Sequence, residues 1–330
     1  MARSSIQHES EMKILVPGGA GYIGALLVPQ LLAEGHKVTV FDPMWFGDGH
    51  LPKSNGNIKI IKGDVRNQSQ FKKACEGKDA VLYLASISNN AMSEINHKVF
   101  NEVNCGAFAF NVGAAKQVGV KRFIYASSVA GYAKDDVENT EDETLWPLTH
   151  YALSKAAAEE ALKQAHDYDF TTVITRSASV GGYSPHQRFD TTLNMMVHDA
   201  MRKKLITVNG GEQIRSHVNI QDVCDFYKLL LKSHSSKVSA HIFNIVAQNQ
   251  KVMETAEIVA KMTGAGIRTQ ARSDARSYRV SGAKARNLLD WEPKRKVEDS
   301  IRDLKIRFDS GHWKDSETNA IYQNIATGLV

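Results

Sequence analysis

Cysteine is scarce in this chain of 330 residues, with only Cys75, Cys105 and Cys224, all far apart. That spacing excludes a disulfide framework or a cysteine metal site and suits small buried roles in a reducing compartment. The twelve histidines form no HExxH or i, i+4 ligand pair, so no metal centre is expected. No apolar run is long enough to span a bilayer, and the polar residues 1–11 lack the apolar stretch of a signal peptide. A cytoplasmic protein with no membrane partner is therefore expected. Runs of like charge are absent too: 41 Lys and Arg stand against 36 Asp and Glu, a formal net charge of +5, and the surplus is scattered. That distribution carries no nucleic-acid footprint. The length allows one large or two modest domains with a well-buried core.

What is present begins at Ile14-Leu15-Val16, an apolar run leading directly into Gly18, Gly21 and Gly24, spaced G-x-x-G-x-x-G. Gly18 permits a tight turn, Gly21 lets backbone approach a pyrophosphate, and Gly24 lets the following helix pack closely on a sheet. The helix beginning at Tyr22 and Ile23 then directs its N-terminus at the anion. A second strand, Lys37 to Phe41, ends at Asp42, whose carboxylate is placed to bind both ribose hydroxyls of an adenosine. The same carboxylate repels the additional phosphate of NADP, and no Arg or Lys adjoins it in the sequence, so NAD is the expected cofactor.

Further short apolar runs at Ile58 to Ile61, Ala80 to Leu84, Arg122 to Tyr125 and Thr172 to Ile174 alternate with helical patterns. Continuous apolar strands separated by helices indicate an α/β fold of the Rossmann type, a doubly wound parallel sheet with right-handed crossovers. Asp64 and Val65 after the third strand are candidate adenine contacts. Leu84, Ala85 and Ser86 after the fourth are candidates for the rest of the dinucleotide. After Arg176 the alternation fades into Gly181-Gly182-Tyr183-Ser184-Pro185, a turn-rich exit. A first domain over 12–180 is expected, with a return strand near 241–246, followed by a smaller, discontinuous mixed α/β domain over 181–330. The polar tail from Ser310 onward carries no recognisable signal.

Tyr151 and Lys155 stand four residues apart at the head of a helical pattern, on one face. A phenol is a poor base at neutral pH, but a neighbouring ammonium and an oxidised nicotinamide both favour its anion. Tyr151 is then able to take a hydroxyl proton while hydride leaves the same carbon. The strand Phe123-Ile124-Tyr125-Ala126-Ser127-Ser128 ends in serines at the edge where the nicotinamide would lie, so a serine hydroxyl is a candidate partner for the substrate oxygen.

With these motifs in this order, together with GDVR at 63–66, the sequence from about 12 to about 305 resembles the extended short-chain dehydrogenase/reductase family, in its nucleotide-sugar epimerase and dehydratase branch. The resemblance implies that Tyr151 is the catalytic base, that Lys155 binds the nicotinamide ribose and lowers the phenol pKa, and that Ser128 is the hydroxyl partner. It implies NAD in the first domain and a nucleotide diphosphate sugar in the second, with Ser128, Ser179, Asn194, Arg215 and Arg276 as candidate substrate contacts. Asn194, in the segment from Arg188, and the two arginines are expected at the diphosphate, where a guanidinium fork meets phosphate oxygens in pairs. It also implies a homodimer formed through helices at 93–118 and 150–166.

Departures from the family pattern narrow the reaction. Dehydratases of this branch typically carry an Asp-Glu pair just after the catalytic Ser or Thr, whereas Val129-Ala130 stand here, and Pro17 replaces the usual threonine before the glycines. The reading that results is an NAD-dependent nucleotide-sugar epimerase acting at C4 through a keto-sugar. The alternatives are a ketosugar reductase or dehydrogenase that exchanges its cofactor, and a non-catalytic NAD-sensing scaffold.

Overall fold

In strand β1 (Lys13–Pro17), Ile14 and Val16 pack on one face of a sheet and Leu15 on the other. The same alternation separates Leu82 from Val81 and Tyr83 in β4 (Ala80–Tyr83), and Ile124 from Phe123 and Tyr125 in β5 (Arg122–Ser128). Both faces are therefore covered, which is why these strands read as unbroken apolar runs. With β2 (Lys37–Asp42), β3 (Ile58–Lys62), β6 (Thr171–Ser177) and β7 (His241–Ile245), they form a seven-stranded sheet in the order β7-β6-β5-β4-β1-β2-β3. All six pairings are parallel. The computed structural model describes residues 11–88, 96–132, 137–271 and 276–323.

The longer helices are α1 (Tyr22–Ala33), α2 (Gln68–Cys75), α3 (Phe108–Gln117), α4 (His150–Ala165), α5 (Thr192–Lys203), α6 (Ile220–Lys232), α7 (Val252–Thr263) and α8 (Val297–Asp309). Leu27, Leu31, Phe226 and Leu230 bring α1 and α6 to one face of the sheet. Phe71, Phe108, Val112 and Leu162 bring α2, α3 and α4 to the other. β7 lies at the sheet edge beside β6, so the chain leaves the sheet after β6 and returns to it, as expected for 241–246.

Residues outside this layer form a smaller lobe. Strands Ser179–Gly181, Ile214–Asn219 and Gln248–Lys251 make a three-stranded sheet, and α5, α7 and α8 enclose a third core around Val197, Val259 and Leu304. The helix expected over 93–118 is interrupted. Helix His97–Asn101 passes through a π turn at Glu102–Gly106 before α3, and residues 93–95 lie outside the described part. The π turn aims Asn104 at the loop after β4, where its side chain accepts from Ile87 N at 2.8 Å and donates to Ile87 O at 2.9 Å. Among the described residues no helix is long and apolar enough to cross a membrane.

Candidate active site

The carboxyl ends of β1, β2, β4, β5 and β6 open onto one cavity of about 470 Å³, closed on its far side by the smaller lobe. Its walls include Gly18, Gly21, Tyr22, Ile23, Gly24, Asp42, Asp64, Val65, Leu84, Ala85, Ser86, Ser128, Tyr151, Lys155, Ser179, Arg215 and Arg276. Of the residues expected at the site, only Asn194 is not brought to this wall.

The glycine turn is built as a cradle. Gly18 has φ +78°, and a Cβ there would lie 2.5 Å from Ala85 N. One at Gly24 would lie 2.4 Å from Gly19 O. Backbone already occupies both positions, so no side chain fits. A Cβ on Gly21 would meet only Gly18 O, at 3.2 Å, and Gly21 faces the cavity at the start of α1, where no side chain caps the helix. The first amides of α1 are therefore available to an anion. Asp42 is fixed beside them: its carboxylate accepts from Ala20 N at 3.2 Å and Met44 N at 2.9 Å, and burial raises its pKa. Amides for a pyrophosphate and a carboxylate for ribose hydroxyls are the donor and acceptor set that a dinucleotide requires. Asp64 pairs with Arg66 at 2.6 Å. Burial opposes its charge, but the arginine holds its pKa below the usual carboxylate value.

At the opposite end Tyr151 and Ser128 stand on the same wall, where the serine side chain opposes the rise of the phenol pKa. Thr149 caps α4 by accepting from Ala152 N, which fixes the first turn of the helix and with it Tyr151. Ser128 Oγ also accepts from Ala130 N at 3.1 Å, and that bond orients the hydroxyl. Lys155 Nζ donates to Ala126 O at 2.8 Å and lies 5.7 Å from the Tyr151 ring centre. Burial lowers its pKa to about 7.

Burial dominates and raises the Tyr151 phenol above its usual value, and the Ser128 side chain and the Arg188 charge oppose it. Behind the site Glu159, one turn beyond Lys155, accepts from Ser127 Oγ and forms a buried ion pair with Arg176 at 2.7 Å. Arg176 in turn donates to Tyr132 Oη at 2.6 Å.

Asn194 braces the two lobes. It is fully buried, its Nδ2 donates to Tyr22 Oη at 3.0 Å and Arg188 O at 2.9 Å, and its Oδ1 accepts from Gly182 N at 2.9 Å. Arg215 is buried in the smaller lobe, donates to the Ile214 and Arg276 carbonyls, and lies over Tyr278 at 5.5 Å.

Arg188 and Asp190 are wall residues that the sequence reading passed over. They are joined by two hydrogen bonds of 2.8 and 2.7 Å. The only sequence signal is a pair of opposite charges at i, i+2, which share a side in extended chain.

The model of the NAD dependent epimerase/dehydratase family matches residues 14–246. UDP-glucose 4-epimerase of Lactobacillus helveticus is 26% identical over 330 residues, 93% of this chain and 99% of that one. dTDP-D-glucose 4,6-dehydratase of Mus musculus is 28% identical, covering 92% of this chain and 91% of its own. Among solved structures, the dTDP-glucose 4,6-dehydratase DesIV of Streptomyces venezuelae, with NAD bound, has a TM-score of 0.82 at 25% identity over 92% of this chain and 98% of that one. The epimerase Mth375 of Methanothermobacter thermautotrophicus shares the fold with a TM-score of 0.83 at 24% identity, over 94% and 96%. The chain belongs to the NAD dependent epimerase/dehydratase family, and NAD is the cofactor that its glycine cradle and Asp42 fit.

Proposed function

We propose that this protein is a nucleotide-sugar epimerase that inverts C4 of the sugar. The observation that carries the reading is that Tyr151 of α4 and Ser128 at the end of β5 share the cavity wall, followed along it by the apolar Val129 and Ala130. Loss of water from a sugar needs an additional acid and base, and these positions supply neither. Among the described residues, the acids on the wall are Asp42, held by two backbone amides, and Asp64 and Asp190, each paired with an arginine. Relatives named UDP-glucose 4-epimerase along most of this chain's length support C4 as the carbon.

In this reading Tyr151 takes the proton of the sugar hydroxyl, and Ser128 donates to the same oxygen as it becomes a carbonyl. When bound, NAD would supply the hydride acceptor and donor for the sugar carbon. Lys155 holds the nicotinamide ribose. Arg215 and Arg276, at the smaller-lobe end of the cavity, grip the diphosphate, which anchors the substrate while the sugar turns over to present its other face. Residues 12–180 with the strand at 241–246 form the cofactor domain in this scheme, and 181–330 the substrate domain. The protein acts as a homodimer through α3 and α4, whose Phe110 and Leu153 are 40% and 52% exposed.

The test is to denature the freshly purified protein, quantify the nicotinamide released, and offer UDP- and dTDP-hexoses with no cofactor added. Near-stoichiometric NAD and interconversion of 4-epimers are expected, with Tyr151→Phe slower by about 10²-fold or more. Turnover only with added NAD or NADH replaces this reading with a dehydrogenase or reductase using the same three residues.

A further inference from the structure

Segment 182–190, between the strand Ser179–Gly181 and α5, touches the loops that leave β1, β2 and β4 at the cavity. At the glycine turn, Ser184 Oγ donates to Tyr22 O and Tyr22 Oη donates to Gly182 O, both at 2.6 Å. Beyond β4, Arg188 donates to Ser88 Oγ, also at 2.6 Å. Between these two ties the centre of the His186 ring lies 5.2 Å from the ring centres of both Phe46 and His50, stacked on the first at 29°. Phe46 and His50 belong to the loop that follows Asp42, and His50 Nε2 donates to Ala20 O at 2.8 Å, which ties that loop back to the glycine turn. Phe46, Ala20 and Tyr22 line the cavity, whereas His186 backs Phe46 and is 4% exposed.

The tip of the loop after β2, Gly47 to Gly49, is exposed, and a loop with few buried contacts opens at little cost. His186 supplies such a contact. Its Nε2 is buried without a hydrogen-bond partner among the described residues, and burial pushes the imidazole down to about 4. At neutral pH the ring is therefore uncharged, and its contribution is that of an aromatic plate. We propose that His186 is a positioning residue for the cofactor: through Phe46 and His50 it holds the loop after β2 over the adenosine end of NAD, so that segment 182–190 straps the dinucleotide into the cavity. The strap is continuous with the smaller lobe, so NAD leaves only when that segment lifts from the larger one. The inference rests on NAD in the cavity, with Asp42 marking its adenosine end, and not on the reaction of the sugar.

The test uses the NAD-loaded protein without sugar. Bound NAD is chased with excess deuterated NAD, and mass spectrometry of the nucleotide released on denaturation follows the exchange. His186→Ala should exchange NAD about tenfold faster, the worth of two ring contacts. His186→Phe, which keeps the plate and removes the unpaired nitrogen, should exchange at close to the wild-type rate. Phe46→Ala combined with His186→Ala should exchange little faster than Phe46→Ala alone, because the histidine acts through that ring. A merely structural role would lower the melting temperature of His186→Ala and leave the exchange rate in place. An unchanged rate in folded His186→Ala, or fully additive effects in the pair, overturns the inference. Should His186→Ala fail to fold, His50→Ala takes its place, with faster exchange expected and an unchanged rate overturning the inference. Faster exchange in a protein that turns over no nucleotide sugar would contradict the C4 reading alone and leave the role of His186 standing.

Discussion

Lys155 illustrates how this site sets stability against function. Burial lowers its pKa from 10.5 to about 7, so between those values the unfolded chain holds more protons than the folded one, and folding gains stability as pH rises through that window. Lys155→Met should therefore raise the melting temperature of the cofactor-free protein at pH 7, by roughly 2 °C, with an advantage that shrinks toward pH 10, while catalysis falls. Thermal melts at both pH values check it, and a lower melting temperature at pH 7 would contradict it. Asp42→Asn should weaken NAD about tenfold, the loss of one charge-assisted hydrogen bond, and narrow the preference over NADP, as measured by calorimetric titration. Asp42, Tyr151 and Lys155 were legible because strand-end position and helical spacing bring such residues to one edge without knowledge of the rest. The bracing bonds of Asn194 were not legible, because nothing in the sequence tells an amide that faces a ligand from one that spans two lobes. Arg188 was missed because its partner Ser88 is 100 residues away.

Helix α4 carries Tyr151, Lys155 and Glu159 along one stripe, and Glu159 locks that stripe to β5 through Ser127 and to β6 through Arg176. Glu159→Ala leaves Arg176 buried without its counter-charge and should cost about 3–5 kcal/mol in urea unfolding, with a matching loss of kcat as the stripe shifts. The chain end also acts as an element. Trp313 packs edge-on against Phe189 at 5.2 Å, and Tyr322 O accepts from Phe189 N at 2.7 Å, so residues 311–323 clasp the segment that holds Arg188 and Asp190. Truncation after Ser310 should lower kcat/KM about tenfold, a loss of ~1.4 kcal/mol, without changing the NAD content. The central strands β1, β4 and β5 were legible to within a few residues because burial on both faces leaves largely apolar runs. The clasp was not, because Trp313 and Tyr322 are isolated aromatics in a polar tail. The π turn was not, because the contact it accompanies, Asn104 with Ile87, is not local in the chain.

For the whole molecule, two lobes share one cavity and meet along Tyr22, Asn194 and Arg188. The proposed dimer would place the exposed Phe110 and Leu153 against a second copy. Phe110→Asp with Leu153→Asp should convert a dimer to a monomer in sedimentation, whereas a wild-type monomer would contradict the proposal. The central claim is that the hydrogen removed from the sugar carbon is the one returned to it. ¹H NMR of a 4-epimerisation in D₂O with no added cofactor tests this directly. The account predicts inverted product that keeps its hydrogen at C4, without deuterium. Deuterium at that carbon, or conversion only when NADH is supplied, would contradict it.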